Sequence, residues 1–168
     1  MAIARILGGS FLAIALGCSA AGAVESDPLP VPEGGARQRA VTAYNTGVKL
    51  MVEKHYAAAQ QKFEEALAAD ERLAEAHNNL AFSLRMQGPH NQARALRHYD
   101  RAVELKPDLA RAYMYRGALF TQMGDLARAR ADHATLLKLD GSLAARLERI
   151  IAGAAERDDD DGLTPQYD

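Results

Sequence analysis

Sulfur chemistry is almost missing from this chain. Its 168 residues include one cysteine, Cys18, which excludes an internal disulfide framework and any zinc or iron–sulfur site built from several thiolates. There is no tryptophan, and aromatic residues make up only 6%. Ala, Leu, Arg and Glu dominate instead, a balance that suits helices and leaves a sheet little β-branched material. Neither sign of charge prevails: 20 Lys and Arg stand against 22 Asp and Glu, for a net charge of −2. That balance excludes the basic footprint of a nucleic-acid-binding protein. The chain carries no Gly-rich phosphate loop, no G-x-S-x-G elbow and no recognisable nucleophile triad. At this length one domain with short appendages is expected, and with 48% hydrophobic residues the body reads as an ordinary globular one.

The two ends differ from that body. Residues 1–23 have the layout of a secretory signal peptide: Arg5 near the start, an apolar run over residues 6–16, and Ala21-Gly22-Ala23 before Val24. Leu16-Gly17-Cys18 resembles the lipobox of bacterial lipoproteins, which implies lipidation of Cys18. The lipobox places an aliphatic residue before a small one at these positions, whereas here Ala15 precedes Leu16. Three outcomes stay open: a soluble protein cleaved after Ala23, an outer-membrane lipoprotein anchored through Cys18, with Ser19 following it, or an uncleaved anchor over the uncharged interval from Ile6 to Val24. The first two place the protein in a bacterial periplasm. Residues 24–37 contain Pro28, Pro30, Pro32, Gly34 and Gly35 and read as an extended linker. From Glu156 to Asp168 six acids face one base, so this acidic tail, read as disordered, carries −5 while residues 24–155 carry +2.

Between these ends lies an internal repeat with a period near 34 residues. Ala43, Thr46, Gly47 and Leu50 recur as His77, Leu80, Ala81 and Leu84, and again as Tyr113, Arg116, Gly117 and Phe120. A second set, Ala59, Phe63 and Ala66, recurs as Ala95, Tyr99 and Ala102, then as Ala129, His133 and Leu136. The second repeat is two residues longer, and the surplus falls at Gly88-Pro89-His90-Asn91, a turn signal. Helical spacing of Tyr56, Ala59, Phe63, Ala66 and Leu67 in the first repeat is matched by Leu126, Ala129, His133, Leu136 and Leu137 in the third. Asp70 and Asp108 are placed to cap the helices that follow them. Leu143, Leu147, Ile150 and Ile151 form one apolar stripe on a final helix ending near Gly153.

This pattern resembles the tetratricopeptide repeat, best seen in Ala74-Glu75-Ala76-His77-Asn78-Asn79-Leu80-Ala81 and Tyr99-Asp100-Arg101-Ala102-Val103-Glu104-Leu105-Lys106-Pro107. The resemblance implies an all-α, right-handed solenoid: repeats over about 40–73, 74–109 and 110–141, and a capping helix over 142–153 within a domain of residues 38–155. It departs from the family at Arg116, where Leu is usual. In the family the first helix of each pair lines the concave side. The implied inward residues are Tyr44, Asn45 and Val48; Asn78, Asn79, Phe82 and Arg85; and Arg111, Met114, Tyr115 and Ala118. Such a groove suits a peptide or a partner helix. The carboxylate clamp of chaperone-binding members is not expected, because its places hold Tyr44, Val48, Asn79, Arg111 and Tyr115, of which only Asn79 and Arg111 fit.

The five histidines do not form a helical metal pair: His90 and His98 lack the i, i+4 spacing, and His77 and His133 fall on repeat-core positions. No catalytic residue, cofactor or metal is therefore expected. The sequence points to a non-catalytic interaction module of the cell envelope, an adaptor or assembly factor with a protein or peptide partner and no nucleic acid. The alternative is a structural or regulatory subunit that binds through its outer face or by homo-oligomerisation. The acidic tail is expected either to fold back over Arg85 and Arg111 or to serve as a docking peptide itself.

Overall fold

The computed structural model describes residues 26–160, with side chains described as far as Ala154. The leader, Cys18 and residues 161–168 of the acidic tail lie outside the described residues. Seven α-helices follow one another: α1 Gly35–Val52, α2 Tyr56–Ala69, α3 Ala74–Met86, α4 Gln92–Leu105, α5 Ala110–Gln122, α6 Leu126–Leu139 and α7 Gly141–Asp160. There is no strand among the described residues. Helices α1/α2, α3/α4 and α5/α6 pack as pairs, each pair leans on the next, and α7 lies against α5 and α6. The architecture is an all-α solenoid of three repeats with a terminal helix.

The recurring small residues explain how neighbouring helices close on one another. A Cβ added at Gly47 would sit 2.6 Å from the Phe63 ring, and one at Gly117 would sit 2.5 Å from a Leu147 methyl. Ala81, at the equivalent position of the second repeat, is fully buried. Opposite them, Ala59, Phe63 and Ala66 of α2, Ala95, Tyr99 and Ala102 of α4, and Ala129 and Leu136 of α6 are all fully buried. Small residues bring the helix axes together and large ones fill the remaining space, which is how a repeat protein builds one continuous core. Arg116 does not break this core. On α5, its guanidinium binds both oxygens of Asp132 on α6, at 2.6 and 3.0 Å, and reaches Asp100 on α4 at 2.8 Å. The residue that departs from the repeat pattern thus ties the second and third repeats through a charge-assisted fork.

Three details differ from the sequence reading, and a fourth refines it. Helix α1 begins at Gly35 rather than near Gln38, so part of the expected linker is helical. Neither Asp70 nor Asp108 caps a helix, because Leu73 and Leu109 occupy the cap positions of α3 and α5. Asp70 instead closes the turn after α2, accepting the Arg72 N–H and pairing with Arg37. The capping carboxylates are Asp125, which accepts the Arg128 N–H at the start of α6, and Asp140, which accepts the Ser142 and Leu143 N–H groups before α7. The extra residues of the second repeat form a short 3₁₀ turn, Pro89–Asn91, entered through Gly88 at φ 125°. Finally, α7 does not stop near Gly153 but continues to Asp160, so the acidic tail begins as helix.

Two glycine substitutions of opposite sign test this packing. Gly47→Ala gains about 1 kcal/mol of helix propensity but drives a Cβ into a closed aromatic ring, an overpacking cost of about 1–3 kcal/mol; a net loss of stability is expected. Gly153→Ala, with nothing within 4 Å of the new atom, should gain about 1 kcal/mol. Urea unfolding of both variants checks the reversal.

Candidate functional site

Of the first helices of the repeats, α3 touches both α1 and α5 along one face of the solenoid. Every inward residue expected from the sequence lies on these three helices, and they divide into two sets. Tyr44, Val48, Asn78, Asn79, Phe82, Met114, Tyr115 and Ala118 are buried. Asn45, Arg85 and Arg111 are half-buried. The aromatic members serve packing: the Phe82 ring lies 5.0 Å from Tyr115 and 6.1 Å from Tyr56, and Tyr44 lies 5.8 Å from Phe63. They form the floor of this face, and its half-buried side chains, Asn45, Arg85 and Arg111, are polar.

Those polar groups converge on the residues read from the sequence as a linker. The Asn45 carboxamide accepts the Leu29 N–H and donates to the Leu29 carbonyl, each at 2.7 Å. It therefore pairs with an extended backbone as a neighbouring strand does. Tyr44 Oη donates to the Asp27 carbonyl at 3.3 Å and accepts from Asn79 Nδ2 at 3.1 Å. Asn79 Oδ1 in turn accepts from the Ser26 hydroxyl at 2.9 Å and from Asn78 Nδ2 at 3.0 Å. Arg111 pairs with the Asp27 carboxylate at 3.2 Å. One segment thus meets all three helices, with Ser26 on α3, Asp27 on α5 and α1, and Leu29 on α1, and Leu29 packs against the core.

The electrostatics suit the recognition of neutral backbone. Burial holds the Tyr44 phenol well above its ordinary range, so it remains an O–H donor. Each neutral hydrogen bond contributes about 1 kcal/mol net. The ion pair contributes less, because the Asp27 side chain is 86% exposed. Asn78 Oδ1 is buried on the same floor with no hydrogen-bond partner among the described residues. Arg85 is directed elsewhere, donating to Gln122 Oε1 at 2.7 Å. The expected return of the acidic tail onto Arg85 and Arg111 falls on residues whose side chains are not described; in the structure Arg111 is engaged by Asp27.

The sequence reading missed a second polar cluster. His77 of α3 and His98 of α4 stack at 5.2 Å with their Nδ1 atoms 3.0 Å apart. His77 Nε2 lies 3.0 Å from the Glu71 carbonyl. A carbonyl only accepts, so neutral His77 carries its proton on Nε2 and His98 donates from Nδ1. Burial, together with Arg101, lowers the His77 pKa. Burial, then His77, Arg94 and Arg97, lower that of His98 to about 4, opposed by Glu64. No group of three or more metal-ligating side chains is found among the described residues.

No family model and no curated protein matches the sequence. Solved structures do match the fold, and they are tetratricopeptide-repeat domains. The second such domain of Spaghetti (RPAP3), solved with the HSP90 peptide SRMEEVD, is 25% identical over 61% of this chain and 94% of that one, with a TM-score of 0.58. The TPR2B domain of yeast Sti1, in its pHsp70 complex, is 18% identical over 71% and 98%, with a TM-score of 0.64. The type III secretion chaperone SycD of Yersinia enterocolitica, in complex with a peptide of the translocator YopD, is 14% identical over 70% and 92%, with a TM-score of 0.61. The chain has the fold of these tetratricopeptide-repeat domains, an all-α solenoid.

The histidine pair makes stability depend on pH in a definite direction. The folded pKa of His98 lies below the ordinary 6.5, so between pH 6.5 and about 4 the unfolded chain binds more protons and stability falls as pH falls. Asp70, Asp125 and Asp140 are held below 3.8 and titrate outside this window. Tm should drop by several degrees from pH 7 to pH 5, and His98→Gln should flatten the drop in a calorimetric pH series.

Proposed function

We propose that this protein is a non-catalytic binding module, an adaptor or assembly factor, that captures an extended segment of a partner protein across α1, α3 and α5. The supporting observation is the Asn45 carboxamide, which satisfies both backbone groups of one extended residue, Leu29. A side chain that pairs with backbone rather than with another side chain can hold an extended chain of many sequences. Tyr44 and Asn79 extend that polar track toward α5, and Arg111 adds a preference for a carboxylate. Likeness to domains of RPAP3 and SycD solved with peptides favours a peptide-like partner. On the strength of the leader, the working compartment is a bacterial periplasm, with the mature protein either soluble from Val24 or anchored at Cys18.

A peptide library selected on the full chain and counter-screened on Asn45→Ala and Arg111→Ala tests this reading. Selected peptides should lose about tenfold or more in affinity with Asn45→Ala, as expected for the loss of two hydrogen bonds. Retention of full affinity by both variants would move binding to the outer face, the subunit reading. For the compartment, intact mass of protein purified from a bacterial envelope should correspond to a chain starting at Val24 or to one starting at a lipidated Cys18. A full-length mass would remove both cleavage after Ala23 and lipidation at Cys18, leaving only the uncleaved anchor.

A further inference from the structure

The segment in the groove belongs to the chain itself, and this observation deepens the reading above and rests on it. From structure and composition together we infer that residues 26–32 are a built-in ligand that closes the groove until an extended partner segment of the same pattern displaces it. The pattern is a carboxylate followed two residues later by an apolar side chain, on a backbone kept extended by proline. Asp27 supplies the carboxylate to Arg111, Leu29 the apolar side chain and the backbone pair to Asn45, and Pro28, Pro30 and Pro32 preset the extended backbone.

Three features mark the segment as a replaceable occupant rather than a fixed part of the core. Its contacts are those an incoming peptide would make, since all four partners, Asn45, Tyr44, Asn79 and Arg111, touch it through polar atoms from the face where a partner would approach. Asp27 is exposed and Leu29 only half-buried, so leaving the groove disrupts little of the packing between helices. The segment also joins α1 through Gly34 and Gly35, at φ 72° and 74°. Two successive left-handed glycines with nothing within 4 Å of either added Cβ form a hinge that needs no repacking to swing.

The test uses a fluorescein-labelled peptide of sequence Ser-Asp-Pro-Leu-Pro-Val-Pro-Glu, identical to residues 26–33, titrated in trans. The proteins are the full chain, its Asp27→Ala/Leu29→Pro variant, and that variant carrying Asn45→Ala as well. Leu29→Pro removes the N–H that Asn45 accepts yet suits a run already rich in proline, and both strap changes lie outside every helix. Circular dichroism of all three confirms that the fold is intact. If the strap leaves the groove open in a tenth of molecules or fewer, the double variant binds the peptide at least about tenfold tighter than the unmodified chain. Adding Asn45→Ala then abolishes the gain. Equal, Asn45-dependent affinities in the first two proteins would overturn the built-in ligand and leave the groove reading standing. Absence of binding by the double variant would overturn the ligand class, and the library selection then decides separately whether the groove binds at all. A doubled mass of the unmodified chain in light scattering, lost in the double variant, would reassign the segment to a second copy.

Discussion

The close approach of α1 and α2 depends on the bare Cα of Gly47 against the ring of Phe63. With the first helix of a pair pressed onto the second at this distance, its opposite side is free to meet the first helix of the next repeat. Ala81 holds the equivalent place in the second repeat and is fully buried, Gly117 gives the same room to Leu147 of α7, and the three first helices then share a face. Asn45, Asn79 and Arg111, each on a different helix, therefore meet a single segment of chain. A bulkier residue at any of the three steps would push one helix outward and break the alignment of the polar groups.

Much of this was legible in the sequence, because a solenoid is assembled from local information. Small and large residues at spacings of 34 and 36 positions give the pairs, the turn at Gly88-Pro89 and the terminal helix. What escaped the reading depends on geometry that a linear pattern does not carry. Asp70 stands three residues before the cap of α3, so the carboxylate stabilises the turn and leaves the cap to Leu73. His77 and His98 are 21 positions apart and meet only when α3 and α4 fold together. The acidic run from Glu156 reads as a disordered tail, since a block of like charges repels itself, yet α7 extends into it as far as Asp160.

The groove shows the same division. Its face was legible from the repeat register, but its depth was not, because a repeat pattern states which way a residue points and not what lies above it. Tyr44, Phe82, Met114 and Tyr115 point inward and are also core, so the residues able to discriminate among partners are the polar ones. The proline-spaced stretch before α1 carried a visible signal, alternate positions fixed in extended backbone, that fits a bound peptide as well as it fits a linker. Residues 26–29 therefore contact the shared face of the first helices, although they lie outside every repeat.

The Gly34–Gly35 junction has a quantitative consequence for any competitor. A ligand tethered through so short a link faces its site at an effective concentration in the millimolar range, however dilute the protein. A free segment of equal intrinsic affinity would have to reach a similar concentration to claim half of the grooves. Partners that bind more tightly, that present several copies of the segment, or that are held on the same membrane or assembly escape this threshold, whereas stray peptides from general turnover do not. The two glycines thereby act as a filter on partner concentration, set by the length of the tether rather than by any contact in the groove.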